Sequence, residues 1–141
     1  MPAIFHWSHC VTDDEIDEQG RVSNLEYLRW MQTAAVEHSA AQGWNAERYR
    51  TEESAWVVRS HHIEYLKPSF LNEIVEVLTW VADFRKVTSH RKFLIVRPSD
   101  STTLARAETN WAYIGSRLGV PRRIPQTLIE SFHIPTEPPG I

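Results

Sequence analysis

The 141-residue sequence predicts an α+β fold in which one long helix lies against a single curled, largely antiparallel sheet of five strands. Two observations carry that expectation. A helical pattern with its own start and stop signals occupies Asn24 to Gln42, and strand-like runs surround it, one before and four after, with no second long helix among them. Strands that follow one another through short polar joints pair as antiparallel neighbours, because a parallel pair needs a long crossover.

Apolar and polar residues loosely alternate from Ile4 to Thr12, which suits a first strand, and the acidic stretch Asp13 to Gly20 reads as a loop. Ser23 with Glu26 three residues on forms a capping-box pattern, and Gly43 supplies the C-terminal stop of the helix. Leu25, Tyr27, Leu28, Trp30, Met31, Ala34, Ala35, Val36, Ala40 and Ala41 cover more than half of its circumference, so the helix is expected to be mostly buried. A short helix over Ala46 to Glu52 follows. The remaining strands are expected over Ala55 to Leu66, Glu73 to Phe84, Ser89 to Arg97 and Thr103 to Arg117, with Lys67 to Asn72 and Pro98 to Thr102 as hairpin joints. A turn at Gly119 to Pro125 leads into a short C-terminal helix over Pro125 to Phe132. Residues 1–134 read as a single domain, and the Pro-rich tail, 135–141, reads as a frayed end.

Strands of this length, at about 3.3 Å per residue, run the full helix and curl past it. The run Ile74, Val75, Val77, Leu78, Trp80, Val81 is apolar on both faces, and an open five-stranded sheet leaves free edges, so a homodimer or homotetramer is expected.

Composition excludes several classes. At 42% hydrophobic and 23% charged residues the chain is that of an ordinary globular fold. The net charge of −3 and scattered basic residues give no stripe for a phosphate backbone, so no nucleic acid is expected. No apolar run approaches the length of a membrane span. Cys10 has no partner in the chain and no charged-then-apolar leader opens it, so the expected compartment is the cytoplasm. His, Cys, Asp and Glu nowhere show zinc-site spacing, so neither a metal nor a cofactor is expected. A Gly-x-Ser-x-Gly elbow and a Gly-rich phosphate loop are both missing.

The β-α-β-β-β-β order around one central helix is the layout of the hotdog fold. The segment Ile16-Asp17-Glu18-Gln19-Gly20-Arg21-Val22-Ser23-Asn24-Leu25-Glu26-Tyr27-Leu28-Arg29-Trp30 resembles the signature of the hotdog acyl-CoA thioesterases, the 4-hydroxybenzoyl-CoA thioesterase-like family. Val57-Val58-Arg59 with Ile63-Glu64-Tyr65-Leu66-Lys67-Pro68 looks like that family's second strand, and Leu118 to Pro125 like its run into the last helix. The sequence departs from the pattern at Arg21, where many relatives carry a His, and at Gln19 and Ser23, where Asn is common.

The resemblance implies hydrolysis of a small aromatic or aliphatic acyl-CoA, with Asp17 as nucleophile or general base and the helix N-terminus as oxyanion site. Thioester hydrolysis needs both parts, a group that attacks or activates water and donors aimed at the developing oxyanion. Spacing alone reads Asp17 as one acid of a solvated turn. If the capping box closes, the N–H groups of Asn24 and Leu25 remain free as donors. Leu25, Tyr27, Arg59, His61 and His62 are the substrate-binding candidates. His61 and His62, adjacent on a strand, point to opposite faces, so one faces inward or toward a partner. His38 falls on the apolar stripe and reads as a core residue. Tryptophans 7, 30, 44, 56, 80 and 111 read as core packing, and Arg59, Lys67, Arg91 and Arg122 as surface cations available to CoA phosphates. A dehydratase on hydroxyacyl thioesters and a non-catalytic acyl-thioester binding module are the alternatives.

Overall fold

The computed structural model describes residues 3–139, so Gly140 and Ile141 of the Pro-rich tail lie outside the described residues. Its elements are β1 (Phe5–Cys10), a 3-10 turn (Asp13–Glu15), α1 (Asn24–Ala41), α2 (Ala46–Thr51), β2 (Ser54–Tyr65), β3 (Ile74–Phe84), β4 (Thr88–Arg97), β5 (Thr102–Gly115) and α3 (Gln126–Glu130). The five strands form one sheet in the order β1-β3-β4-β5-β2, antiparallel throughout. α1 crosses its concave face against β1 and β3. This is the hotdog fold.

The long helix ends where the sequence says it should, with Gln42 as C-cap and Gly43 in the left-handed region at φ 94°. Its burial differs from expectation. The buried positions are Tyr27, Trp30, Met31, Ala34, Ala35 and His38, one stripe at helical spacing, whereas Leu25, Val36, Ala40 and Ala41 are exposed. The sheet covers α1 from one side only, so the far side stays open.

The capping box also moves. Ser23 Oγ accepts from the Leu25 N–H at 3.3 Å, but the Ser23 N–H donates to the Glu15 carbonyl at 3.0 Å, which leaves the Glu26 carboxylate nothing to cap. Glu26 turns instead toward Arg29 at 3.7 Å. The reciprocal arrangement occurs earlier, between Thr12 and Glu15.

The joint at Lys67–Asn72 is not a hairpin. β2 pairs with β5, and β3 lies between β1 and β4, so this segment crosses from one side of the sheet to the other. Its backbone explains the detour: Ser69 O accepts from the Val22 N–H (2.9 Å), and the Asn72 N–H donates to Val11 O (3.1 Å). The crossing segment is thereby bound to the chain on both sides of the Asp17 loop. β2 and β1 become the free edges.

Two apolar clusters fill the concave face. The larger joins α1 to Val75, Val77, Phe93, Ile95, Leu104 and Ala105, and the smaller packs Trp44, Val81, Tyr113, Ile124, Leu128 and Phe132 at the C-terminal end of α1. Between them His38, 2% exposed, lies stacked on Phe5 (5.2 Å between centroids) and edge-on to Phe132 (5.1 Å). Arg91 Nη1 donates to His38 Nδ1 at 2.9 Å and to Thr79 Oγ1 at 3.1 Å. His38 is a core residue, as its place on the stripe predicts.

Burial, reinforced by the Arg91 charge, lowers the His38 pKa from 6.5 to about 3. Above pH 6.5 the ring is neutral folded or unfolded, and below it the unfolded chain takes up a proton that the folded one refuses. Stability should therefore fall by up to about 1.4 kcal/mol per pH unit as pH drops below 6.5. Urea unfolding from pH 7.5 to 4.5 measures this, and His38→Gln, which keeps an acceptor for Arg91, should flatten the dependence.

Candidate active site

The loop between β1 and α1 folds back on itself through an Ile16–Val22 bridge. Inside it the Asp17 N–H donates to Arg21 O at 2.8 Å, and the Gly20 N–H donates to Asp17 O at 3.0 Å. Gly20 sits at φ 80°, a conformation that favours glycine at this turn. Asp17 Oδ1 accepts from the Gln19 N–H (2.8 Å) and the Arg21 N–H (3.4 Å), while Oδ2 has no partner among the described residues. The carboxylate is thus fixed by one oxygen and free at the other.

A cavity of about 490 Å³ opens between this loop, the first turn of α1 and the end of β2. Asp17, Arg21, Asn24, Tyr27, Tyr65 and Lys67 all line it. The sequence expectation of two free donors reduces to one. The Leu25 N–H is held by Ser23 Oγ, and the Glu26 N–H donates to Ser23 O at 2.9 Å, but the Asn24 N–H makes no hydrogen bond among the described residues. Tyr27 is buried with its hydroxyl 2.9 Å from Ser69 Oγ, and burial raises its pKa. Tyr65 packs against Tyr27 at 5.4 Å and donates to Asn24 O at 3.3 Å.

One buried acid holds this region. Glu15 is 8% exposed, and its carboxylate accepts from His9 Nε2 (2.8 Å), the Thr12 N–H (2.8 Å) and the Trp30 indole N–H (2.8 Å). Burial alone would raise its pKa, but the hydrogen bonds from Thr12, His9 and Trp30 outweigh it and hold the carboxyl below its ordinary value.

The structure brings Asp17, Asn24 and Tyr27 together and leaves the other candidates elsewhere. Leu25 is 65% exposed and does not line this cavity. Directly paired strand residues share a face. His61 therefore faces the helix side, opposite Thr109, with which it hydrogen-bonds at 2.8 Å, and burial lowers its pKa. His62 lies on the outer face, opposite Glu108. Arg59 sits at a register shift between Val58 and Ser60 and is exposed. None of these three lines the Asp17 cavity within one chain.

Two further expectations are corrected. Trp44, Trp56 and Trp111 are not only core: they line a second, largely apolar cavity of about 500 Å³ between the C-terminal half of α1, α2 and the start of β2. Its walls come from segments far apart in the chain, so no local pattern announces it. Arg91 is not a surface cation but a buried one, facing that cavity. Arg122 is also engaged, donating to Glu52 O at 2.8 Å.

The chain is a hotdog-fold thioester hydrolase, and its family and relatives are what show it. A family model of the acyl-ACP thioesterase N-terminal domain matches residues 2–132, and the chain belongs to that family. Among known proteins it is similar to YbgC of Escherichia coli O157:H7, an acyl-CoA thioester hydrolase, at 24% identity over 129 residues, 92% of this chain and 96% of that one. Its fold is that of Slr0204, a 1,4-dihydroxy-2-naphthoyl-CoA thioesterase from Synechocystis (TM-score 0.83, 16% identity, 91% of this chain and 94% of that one). It is likewise that of SAV2348 from Staphylococcus aureus, solved in complex with CoA (TM-score 0.85, 15% identity, 91% of this chain and 80% of that one).

Glu15→Gln keeps the shape of the side chain and removes its charge. It should cost about 1–3 kcal/mol of unfolding free energy, because Thr12, His9 and Trp30 then share a weaker acceptor. Chemical denaturation at neutral pH measures it.

Proposed function

We propose that the chain hydrolyses acyl-CoA thioesters, with Asp17 supplying the reacting carboxylate and the Asn24 N–H stabilising the oxyanion. The observation that carries this reading is the shared cavity: an anchored carboxylate with one free oxygen, and an unpaired N–H at the positive end of a helix. Asp17 deprotonates the attacking water, or adds to the thioester carbon itself to form an anhydride that water then hydrolyses. Either route puts negative charge on the carbonyl oxygen before the C–S bond breaks, and the leaving thiolate takes its proton from Asp17 in the first route and from water in the second. Arg21 and Lys67 in the same wall suit the phosphates of a CoA carrier.

We further propose that the working unit pairs two chains along β2. This edge strand is twelve residues long and carries the exposed apolar side chains of Val57 and Tyr65, a surface that invites pairing. Within one chain the two cavities are separated along α1, Asn24 to Ala35 spanning roughly 16 Å at the helical rise. When β2 pairs antiparallel with its copy about a two-fold axis, the start of one strand lies beside the end of the other. The tryptophan cavity then opens beside the partner's Asp17, and an acyl group of ordinary length spans the two.

Asp17→Asn should lower turnover of a cleavable acyl-CoA by about 10²-fold or more with the fold intact, read by thiol release and circular dichroism. Asn24→Pro removes the donor at the first helical position, where proline is tolerated, and Ser23 at φ −64°, ψ 140° already has the backbone that a following proline requires. Its kcat should fall on the order of 10²-fold. An Asp17→Asn enzyme with full turnover would remove Asp17 from the chemistry. For the assembly, sedimentation at micromolar concentration should give at least twice the 16.4 kDa of one chain, and a monomer would exclude the pairing.

A further inference from the structure

The tryptophan cavity contains one feature that a plain hydrocarbon chain does not require. Arg91, 7% exposed, lines it as its buried cation, Arg50 being exposed at the same wall, and no Asp or Glu does. Nη1 is used by His38 and Thr79. Nε and Nη2 make no hydrogen bond, and no carboxylate stands within ion-pair distance of the guanidinium, among the described residues. His38 cannot neutralise it, since that ring is uncharged at neutral pH, whereas Arg91, lowered by burial to about 10, stays protonated. Two other residues that line the same cavity, Ser54 and Trp111, carry buried polar atoms, Oγ and Nε1, with no partner among the described residues. A buried cation with an unpaired edge is costly unless something neutralises it.

The Nε–Nη2 edge is the side of the guanidinium that grips a carboxylate with two parallel hydrogen bonds. Arg97 in this same chain shows it, holding both oxygens of Asp100 at 3.1 and 3.0 Å. Nothing in the protein plays the part of Asp100 for Arg91. The surrounding wall, with Trp44, Trp56 and Trp111, suits the apolar stem of a ligand and not its head.

We propose that this cavity receives an acyl group ending in a carboxylate, and that Arg91 selects it by closing a bidentate ion pair at the cavity floor. The inference rests on the reading of the site as a thioester hydrolase and assigns its substrate class: mono-CoA thioesters of dicarboxylic acids. A neutral end group would leave the guanidinium charge uncompensated, so acyl chains of equal length without the terminal carboxylate are the poorer substrates.

The test compares two series of CoA thioesters, the monothioesters of linear dicarboxylic acids from glutaryl to sebacyl and the monocarboxylic acyl-CoAs of matching length, by thiol release. At the best length the ω-carboxyacyl substrate should be favoured by about tenfold or more in kcat/KM, as expected for a charge-assisted pair closed against a desolvation cost. Arg91→Met should abolish the preference, Arg91→Lys should retain part of it, and Arg106→Met, on a cation already paired with Glu64 at 2.9 Å, should leave the ratio alone. Turnover of both series with no preference for the carboxylate, or with preference for plain chains, overturns the inference and leaves the hydrolase reading standing. If no thioester is cleaved, that reading falls, and binding of carboxylate and neutral ligands of equal length by wild-type protein, followed by tryptophan fluorescence, decides the cavity's ligand. Octanoate bound more tightly than octanamide supports the assignment, and equal or absent binding overturns it. The same binding measurement serves if Arg91→Met does not fold.

Discussion

The position of the Asp17 loop depends on a carboxylate that does not itself line the cavity. Glu15 gathers donors from β1 (His9), from the turn that follows it (Thr12) and from α1 (Trp30), while its backbone carbonyl takes the Ser23 N–H at the other end of the loop. An unpaired carboxylate at that depth would be strongly destabilising, and with three donors close to 2.8 Å it becomes a clamp. By claiming the Ser23 N–H the clamp removes the target of Glu26, while Ser23 Oγ takes the Leu25 N–H and the Asn24 amide, at the cavity wall, stays unpaired among the described residues.

The crossing segment between β2 and β3 completes the same construction from the opposite side. Ser69 presents its carbonyl to Val22 and its hydroxyl to Tyr27, so the second wall of the cavity is tied to the first. The detour that carries the chain there is what sends β2 to the far edge of the sheet. Site closure and a free edge are two results of one connection.

Much of this was legible in the sequence because it is local. Strand and helix spans follow from periodicity and from stops such as Gly43, and most boundaries fall within one or two residues of those expected. The grouping of Asp17, Asn24 and Tyr27 follows from their closeness along the chain to one helix start. Errors arose where long-range contacts override local pattern. Lys67–Asn72 has the composition of a hairpin joint, but its partners are Val11 and Val22, more than forty residues away in sequence. Ser23 and Glu26 have the spacing of a capping box, but Glu15 arrives first. Arg91 sits in the polar run Ser89-His90-Arg91-Lys92, which reads as surface, and only the packing of His38 and Phe132 shows that it is inside.

The two buried charges of the concave face are treated in opposite ways, and the contrast separates structure from specificity. Glu15 is saturated: its oxygens are occupied by groups whose positions it fixes, and it adjoins no open space that a ligand would need. Arg91 is left half-used, one nitrogen spent on holding α1 to the sheet and the Nε–Nη2 edge unpaired among the described residues, in a residue that lines an apolar cavity. A protein that needed Arg91 only for the His38 contact could satisfy that nitrogen with a neutral donor and avoid the desolvation of a full charge. Buried polar groups that break the rule of satisfaction concentrate where a structure serves something other than its own stability. Arg97 is paired with Glu73 and Asp100, and Arg106 with Glu64, so an unneutralised guanidinium that is buried in a wall of tryptophans marks the place where the missing anion comes from outside.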